Sequence, residues 1–567
     1  MPASENTEKP AVRPSRGFWR RAWRYVLAAV VVLVVGFWIA AAMLISHVEP
    51  YLHDRIVRDL SRRFDSDVEI GALHARAYPR LQVFGEKLTL KHHGSAEGLP
   101  PLIAVEKFDF SADPWNLLHW PLQIENAHIS GLAITIPPRG QRGFSNASGN
   151  ARAGTAAKTG AKPQSGNSQV LFVIASAICD NATLVIMTDH PDKPPRHFDI
   201  QSVLLHDAGP GRAMSFVATL TNPKPLGQID TKGDFGPWDA QEPRDTPVAG
   251  SFSLNDADLG TIKGIGGILT SKGTYQGVID RIEVEGSTDT PEFTVSTGGH
   301  PMPLHTDYTA TVDGSNGDTY LHPVRATLLH SLIVANGSVV RKADGHTITL
   351  DVVASGARIE DLLKVAVKTL PPTLSGPITL HTKFVLPPGP QPVFERLMLD
   401  GNFSLTSAHF SNFEAQEKLD QLSLRAQGHP KQAQEEAAAV KQSGDLESEK
   451  RAAAKTVEGS DVASNMRGKF TLKDGTASIP SVDFDVPGAA IHLSGDYHLT
   501  DQNFLFRGNA RLDARLSQMT TGVKSLLLKA VDPFFAKQGA GVLVPIRIFG
   551  SDATLHFALD FKHRDGK

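Results

Sequence analysis

The fold is decided by the stretch SVDFDVPGAAIHL, which occupies residues 481–493. Within it, Val482, Phe484 and Val486 alternate with Asp483 and Asp485 up to a Pro-Gly turn, after which the alternation resumes. A period of two residues places successive side chains on opposite faces of a β-strand. The stretch is therefore predicted to be a hairpin with one apolar face and one charged face.

The same alternation recurs over most of the chain. It begins near Val68 and continues to about Ile136, runs from Ile200 to Leu424, and closes in a hairpin after Val542. Short strands spaced by roughly 10–14 residues are typical of an all-β solenoid, a sandwich or a long meandering sheet. We expect a mainly β protein whose elongated, mostly antiparallel sheet forms a groove or a solenoid-like body.

Helical spacing interrupts the strand pattern in a few places. An amphipathic helix is expected from about Pro50 to Phe64, a brief one from Glu360 to Leu370, and a longer one from Leu516 to Val531. The polar residues 431–460 carry no apolar stripe, so they form a solvated helix or remain disordered.

A faint internal repeat joins two of the strand regions. Residues of matching type recur at one spacing in two segments: Ile124, Ala127, Ile129, Gly131, Ile134 and Ile136, and then Ile174, Ala177, Cys179, Asn181, Leu184 and Ile186. We interpret each copy as a strand–turn–strand module around its Gly or Asn.

The N-terminus carries the signature of a membrane anchor. No charged residue occurs from Tyr25 to Ile45, a run that is roughly 30 Å long as a helix and matches the hydrocarbon core of a bilayer. The run is longer than the apolar core of a signal peptide, and a buried soluble helix is the alternative. Basic and aromatic residues precede it, namely Arg20, Arg21, Trp23 and Arg24. Since basic flanks stay in the cytoplasm, the rest of the chain is expected to be exported.

Motifs for chemistry are scarce. The sequence contains no His-Glu-x-x-His, no paired-cysteine metal site, no Gly-x-Ser-x-Gly elbow and no Walker-type phosphate loop. We therefore expect neither an enzyme nor a cofactor or metal. The net charge of -3 gives no basic field for nucleic acid, and the single cysteine, Cys179, is expected to be an inert core residue.

With few motifs for chemistry, the shape of the predicted sheet is the remaining indication of function. An exported sheet with one apolar face must cover that face or use it, and acyl chains are the obvious occupants beside a membrane. The predicted lipid-groove residues are Val83, Leu88, Leu90, Ile134, Ile136, Ile348, Leu350, Val482, Phe484, Val486, Ile491, Leu493, Leu555, Phe557 and Leu559. Roughly 30–35 strands in one groove would extend about 150 Å.

Three stretches resemble a known family. They are YLHDRIVRDL at residues 51–60 with VEIG at 68–71 and the Pro79-Arg80-Leu81 turn, NMRGKF at 465–470 leading to VPGA at 486–489, and SQMTTG at 517–522 through DPFF at 532–535 to VPIRI at 544–548. Together they resemble the AsmA-like family of envelope proteins, which is related to the bridge-like lipid transfer proteins. Residues 550–554 depart from the Gly-Thr and Lys-Pro turn of typical members, so the resemblance implies nothing for that turn.

The resemblance implies an inner-membrane anchor, a periplasmic β-rich body with a hydrophobic groove, and a role in phospholipid movement or outer-membrane assembly. It divides the chain into a cytoplasmic basic tail (1–24), a transmembrane helix (25–45), an N-terminal AsmA-like region (46–144), a flexible linker (145–168), a central β-rich region (169–429), a polar, charged insertion (430–460) and a C-terminal AsmA-like region (461–567).

Several functions fit these expectations. The first is a single-pass inner-membrane protein that conducts phospholipid or another acyl-chain lipid, either as a bridge or as a shorter module that needs a partner. The second is an assembly factor that binds outer-membrane or β-barrel assembly proteins through its sheet edge or polar insertions. The third is an enzyme with dispersed residues. Strand periodicity does not distinguish an open groove from a sealed sandwich.

Overall fold

The structure is a computed structural model. It describes residues 66–76, 81–92, 100–112, 122–138, 172–188, 193–209, 211–239, 242–411, 413–438, 462–519, 542–551 and 554–559, with isolated helical residues at 32, 35–36, 57–58 and 61. The linker (145–168) lies outside the described residues, as do all but three residues of the predicted anchor (25–45) and most of the helices predicted at 50–64 and 516–531. Among the described residues, no helix is both long and apolar enough to cross a membrane.

The described chain is mainly β, as predicted, and its sheet curls into a half-barrel. The N-terminal strands are β1 (Ser66–Arg76), β2 (Leu81–His92), β3 (Ile103–Ala112), β4 (Leu122–Ile136), β5 (Phe172–Ile186), β6 (Arg196–Ala208), β7 (Met214–Pro223), β8 (Leu226–Phe235) and β9 (Pro247–Asp258). The central strands are β10 (Ile265–Gly266), β11 (Ile268–Val278), β12 (Arg281–Val295), β13 (Met302–Val312), β14 (Thr319–Leu328), β15 (Ser331–Lys342) and β16 (Gly345–Arg358).

The C-terminal strands are β17 (Leu374–Ser375), β18 (Pro377–Leu386), β19 (Met398–Phe410), β20 (Ser464–Lys473), β21 (Thr476–Val486), β22 (Ala489–His498), β23 (Asn503–Leu512), β24 (Val542–Ser551) and β25 (Thr554–Leu559). Among the described residues, helices α1 (Ile359–Ala366), α2 (Val393–Arg396) and α3 (Phe413–Ala426) accompany them, and residues 430–438 are also helical. Short 3-10 turns occur at Pro243–Asp245, Leu259–Thr261 and Leu516–Met519.

Two of the predicted elements have different outcomes in the structure. The brief helix predicted at Glu360–Leu370 is confirmed as α1. The strand pattern predicted up to Leu424 is wrong over its last part, where α3 forms instead. Of the polar insertion, residues 430–438 are helical and Ala433 is fully buried, so its first turns pack against the body although no apolar stripe predicted this.

Strand neighbours in the sheet follow chain order. All 25 strands belong to one sheet. The two-residue strands β10 and β17 pair outside the main ladder, with β12 and β19, so 23 strands lie in line. At about 4.8 Å per strand the ladder extends roughly 100 Å along its curve, less than the 150 Å expected from the sequence. Every pairing is antiparallel except the one between β4 and β5.

The parallel pair is the internal repeat. Ile124 pairs with Ile174 and Ile136 with Ile186, so the two copies lie side by side in register. Parallel neighbours need a long crossover, which here includes the segment predicted as a linker. The strand–turn–strand interpretation is wrong, because each copy is one continuous strand. Gly131 (φ 66°) and Asn181 (φ 53°) adopt a left-handed conformation that interrupts the strand alternation at a single residue without shifting the register or reversing the chain.

Such one-residue bulges keep the apolar residues of a strand on one face. Val83 and Leu88 are an odd number of residues apart, which in a regular strand would place them on opposite faces. Lys87 lies between them with φ 56° and has no partner in either neighbouring strand, so both apolar side chains share a face. Asn and Asp, which tolerate left-handed φ, occupy several other bulges.

Glycines on this same face are paired with aromatic residues of the adjacent strand. The directly opposed pairs are Gly85–Phe108, Phe216–Gly233, Gly250–Tyr275, Phe252–Gly273, Gly286–Tyr308, Gly401–Phe470, Phe403–Gly468, Gly495–Phe506 and Phe504–Gly550. A ring lying over a strand glycine replaces the missing side chain, and glycines are where sheets bend. The pairs therefore allow the sheet to curl without leaving gaps.

The curl is directed toward the glycines. A Cβ added to Gly468 would lie 2.7 Å from the backbone oxygen of Ser481, and one added to Gly286 would lie 2.7 Å from that of Lys272. Both distances are shorter than a real Cβ atom allows, so these positions admit only glycine. The glycine-bearing side is the concave side of the half-barrel, because Ile136 and Ile186 pack across it against Ile279 of a distant connection.

We predict that Gly286→Ala lowers the free energy of unfolding by about 1–3 kcal/mol, because its methyl group would meet both the Lys272 oxygen and the Tyr308 hydroxyl, 2.8 Å away. Urea denaturation of the full chain measures the change. Glu285→Ala, one residue away and exposed on the other face, is the matched control and should stay within about 0.5 kcal/mol of wild type. Equal midpoints for both variants would show that the close approach is not a constraint.

Candidate functional site

The strand register defines one continuous apolar face. Directly paired residues project from the same side of a sheet, so a face can be followed from strand to strand. Starting at Phe484, the pairing leads through Ile491 and Ala510 to Val544 in one direction, and through Met466 and the strands before it in the other. We call the face that contains Phe484 the apolar face and the opposite one the outer face.

All of the predicted groove positions fall on the apolar face by register. Leu90, Leu88 and Val83 reach it in β2, and Ile134 and Ile136 in β4. Ile348 and Leu350 follow in β16, paired with Leu386 and Phe384 of β18. The C-terminal positions are Val482, Phe484, Val486, Ile491 and Leu493 in β21 and β22, and Leu555, Phe557 and Leu559 in β25. The side chains of the last three lie outside the described residues.

Exposure divides these residues into two groups. Leu90 and Ile136 are 3% and 1% exposed, and the positions in β21 and β22 are equally buried. The half-buried group consists of Val83, Leu88, Ile134, Ile348 and Leu350. Only this second group presents apolar surface that another molecule can touch.

Helix α3 covers the C-terminal part of the apolar face. Its Leu419 and Ala426 belong to one packed cluster with Phe484, Ile491 and Leu512. The helix is held at its end by Ser423, whose hydroxyl donates to the Pro487 carbonyl at 2.8 Å. The predicted groove residues of β21 and β22 therefore lie in a core between sheet and helix.

Helix α1 covers a second patch, over β16, β18 and β19. Ile359 and Leu362 of α1 pack on the cluster of Ala354, Ile378 and Leu405. Buried Asp361 anchors the helix, since its carboxylate accepts hydrogen bonds from the Ser331 hydroxyl at 2.9 Å and the His330 backbone N–H at 3.0 Å. Helices α1 and α3 thus cover two patches of the apolar face and leave other parts of it open.

A third contact closes the apolar face on itself. Ile136 and Ile186, at the ends of β4 and β5, pack against Ile279 in the β11–β12 connection, with Phe235 and Trp238 beside them. These strands are well separated in sheet order, so the contact crosses the trough. It is reinforced by fully buried Arg244, whose Nη2 donates to the Met187 carbonyl at 2.6 Å.

A row of hydroxyl groups crosses the apolar face in the centre of the sheet. The Thr231 hydroxyl donates to the Ser251 carbonyl at 2.9 Å, so the Tyr275 hydroxyl, 2.7 Å away, is the donor to Thr231. Ser271 and Tyr308 repeat this arrangement at 3.1 Å, and the hydroxyls of Thr288 and Thr306 form a further pair. Burial raises the pKa of Tyr275 and of Tyr308, so both phenols stay neutral.

The outer face is charged and carries histidine–aspartate pairs between adjacent strands. The pairs are His128–Asp180 at 2.8 Å, His305–Asp289 at 2.6 Å, His381–Asp351 at 2.6 Å and His492–Asp483 at 2.9 Å. The hydrogen bond from His492 holds the pKa of Asp483 below its usual value. The expectation that Asp483 and Asp485 lie on an outward face is confirmed.

The single cysteine and the metal-ligating residue types are the remaining candidates for chemistry. Cys179 is 1% exposed, and burial, followed by the charge of Asp180, raises the pKa of its thiol to about 11, so it is an inert core residue as predicted. Within the residues that the structure describes, no cluster of three or more His, Cys, Asp or Glu side chains is placed to hold a metal. Two shallow cavities of about 480 and 440 Å³, near Arg547 and Lys272, are lined chiefly by outer-face residues.

Sequence reasoning missed three features of this site. The glycine–aromatic pairs depend on register, which no single segment reveals. The cover formed by α3 had a signal in the helical spacing of Leu419, Leu422 and Ala426, which the strand interpretation overlooked. The contact between Ile186 and Ile279 had no sequence signal, because only the curl of the sheet brings those strands together.

Comparison of the chain with protein-family models, with curated proteins and with solved structures finds no match.

The His305–Asp289 pair makes stability depend on pH. The hydrogen bond that His305 donates to Asp289 raises the pKa of His305 above 6.5, so the pair contributes stability that is fully present below pH 6.5 and is lost as the pH rises through the folded-state value. We expect Asp289→Asn to reduce the gain in thermal stability that wild type shows on acidification. Asp400→Asn, an exposed outer-face change with no histidine opposite, serves as the control. Parallel pH–stability curves for wild type and Asp289→Asn would refute the pairing.

Proposed function

We propose that this chain is a non-catalytic, membrane-anchored protein whose apolar trough binds or conducts phospholipid between the inner and outer membranes and so supports envelope integrity. In this proposal, the charge-free run at residues 25–45 is the membrane anchor, and the trough lies in the exported body, in the periplasm. The resemblance of both chain ends to the AsmA-like family supports the same assignment.

The observation that carries the proposal is the continuity of the apolar face through the ladder. Bulges such as the one at Lys87 maintain that continuity where a regular strand would lose it. A sheet that only needed a core would require apolar residues where it packs against a partner element. Here apolar side chains continue through β2, β4 and β16, where Leu88, Ile134 and Leu350 remain half-buried.

Acyl chains fit this surface energetically. Each methylene transferred from water contributes about 0.8 kcal/mol, so a lipid with two chains gains affinity from contact with apolar side chains alone. The curled shape increases that contact, because a concave surface surrounds more of a chain than a flat one. Its phenylalanine–glycine pairs, such as Phe403–Gly468, keep parts of the floor of the trough apolar, whereas the hydroxyl row crosses the floor in the centre of the sheet.

Length and cover favour the shorter-module version of the proposal. The ladder extends roughly 100 Å along its curve, and its straight span is smaller because it curls. Helices α1 and α3 and the Ile279 contact interrupt the open surface. We therefore propose that lipid occupies the open stretches, and that passage along the whole trough requires the covers to move or a partner to complete the path.

A second candidate function, binding of other envelope proteins during outer-membrane assembly, is favoured by one patch on the outer face. Ile178, Leu204 and Val217 are paired across β5, β6 and β7, and Ile178 and Val217 are 46% and 51% exposed. Apolar residues in a row on an otherwise charged face are typical of protein contact sites.

Photo-crosslinking in cells separates the two functions. We predict that a photoreactive amino acid at Leu350, half-buried on the apolar face, yields adducts with phospholipid that mass spectrometry identifies. The same group at Thr349, exposed on the outer face of the same strand, is the matched control and should give none.

Equal lipid labelling at both positions, or none at either, would contradict lipid occupancy of the trough. A third position, Val217, tests the alternative function. Protein adducts there, together with the absence of lipid at Leu350, would identify the chain as an assembly factor.

A further inference from the structure

Two arginines from distant strands come together at one margin of the apolar face. Arg196 begins β6 and is paired with Ile186, which places it on that face. Arg341 lies near the end of β15, paired with His346, and its Nη1 donates to the carbonyl of Pro195 at 3.3 Å. The guanidinium of Arg341 thus contacts the residue that precedes Arg196, although β6 and β15 are far apart in the ladder.

Arg196 has an unusual set of contacts for a largely buried cation. Its Cζ lies 4.8 Å from the centre of the Phe198 ring, a cation–π contact. Its other side faces Gly317, where an added Cβ would lie 3.2 Å from Nη1 and obstruct the guanidinium. In the described part of the chain, the side chain of Arg196 makes no hydrogen bond and no close ion pair, although the charge of Asp313 acts on it.

The nearby carboxylates are occupied elsewhere. Asp318 binds Lys193 Nζ at 2.6 Å through one oxygen and accepts from the Arg341 backbone N–H at 3.0 Å through the other. Asp313 accepts from the Ser315 backbone N–H at 2.9 Å and from Asn316 Nδ2 at 2.7 Å within its own turn. No acid in the described residues bridges the two guanidinium groups.

The local potential is positive, and neighbouring groups respond to it. Burial lowers the pKa of Arg196 and the charge of Arg341 lowers it further, whereas the charge of Asp313 opposes the shift. The pKa of His346 is lowered first by burial and then by Arg341 and Arg196. Two like charges held together in a partly desolvated site are unfavourable unless an anion joins them.

We propose that Arg196 and Arg341 bind the phosphate of a phospholipid headgroup whose acyl chains lie on the adjoining apolar face. This inference rests on the proposed function and assigns it a headgroup position. Guanidinium groups match phosphate through paired, charge-assisted hydrogen bonds. Ile134 and Leu184 lie on the apolar face directly beside this margin, together with Phe198, so a polar contact and an acyl surface adjoin as they do in a phospholipid.

The test compares two probes that differ only in the phosphate, dioctanoylphosphatidate and dioctanoylglycerol. They are titrated calorimetrically into the full chain in detergent. We expect wild type to bind the phosphatidate about tenfold to a hundredfold more tightly, as charge-assisted hydrogen bonds predict. The double variant Arg196→Gln/Arg341→Gln should lose this preference and retain its affinity for dioctanoylglycerol.

Two further variants secure the interpretation. Arg325→Gln removes an exposed arginine from the outer face and should retain the preference for phosphatidate. Arg341→Gln alone decides the question if the double variant does not fold. The thermal midpoints of the lipid-free variants are measured in parallel, because the substitutions remove the Arg341–Pro195 hydrogen bond and the Arg196–Phe198 contact as well as charge repulsion.

The outcomes separate the headgroup site from the proposed function. Equal wild-type affinity for both probes, or an unchanged preference in the Arg341→Gln variant, would overturn the headgroup site and leave acyl binding intact. Failure of wild type to bind either probe would overturn both. Binding of inorganic phosphate as tightly as the phosphatidate would show a free-anion site and overturn the lipid assignment.

Discussion

The structure depends on keeping apolar side chains on one face of a very long ladder. A β-strand has a period of two, so a single extra residue would turn every later side chain of that strand to the wrong side. The chain places a left-handed residue where the alternation would otherwise fail. The one at Lys87 lies between Val83 and Leu88, which would otherwise point to opposite faces. The bulges at Gly131 and Asn181 act in the same way on β4 and β5, which explains why the repeat preserves them.

Curvature follows from that single face. Because only one side is apolar, the sheet gains by bending toward it, and bending requires that some positions on that side carry no side chain. The glycines of pairs such as Gly286–Tyr308 and Phe403–Gly468 satisfy this, and the opposing rings fill the space. The large residues of the trough therefore come from aromatics lying over glycines, and the outer face remains free for charge.

Local chemistry determines how much of this could be predicted from sequence. The hairpin of β21 and β22 is specified by alternation and a Pro-Gly turn within a few residues, so it was predicted correctly. The repeat was detected, but its parallel pairing depends on a crossover outside both copies. Helix α3 was missed because apolar residues at Leu419 and Leu422 also suit a strand when the tertiary partner is unknown. The approach of Arg341 to Pro195 depends on curvature summed over many strands, which no local pattern encodes.

The covers over the trough explain how an apolar face of this length remains compatible with water. The face is buried around its bulkiest cluster, which contains Phe484 and Ile491, because α3 packs against it there. Leu88 and Leu350 are only half-buried, and no helix of the described residues packs against them. A half-open apolar surface is costly in water. The proposed phospholipid would cover such a surface with its acyl chains and join Arg196 to Arg341 through its phosphate, so the two proposals describe one site.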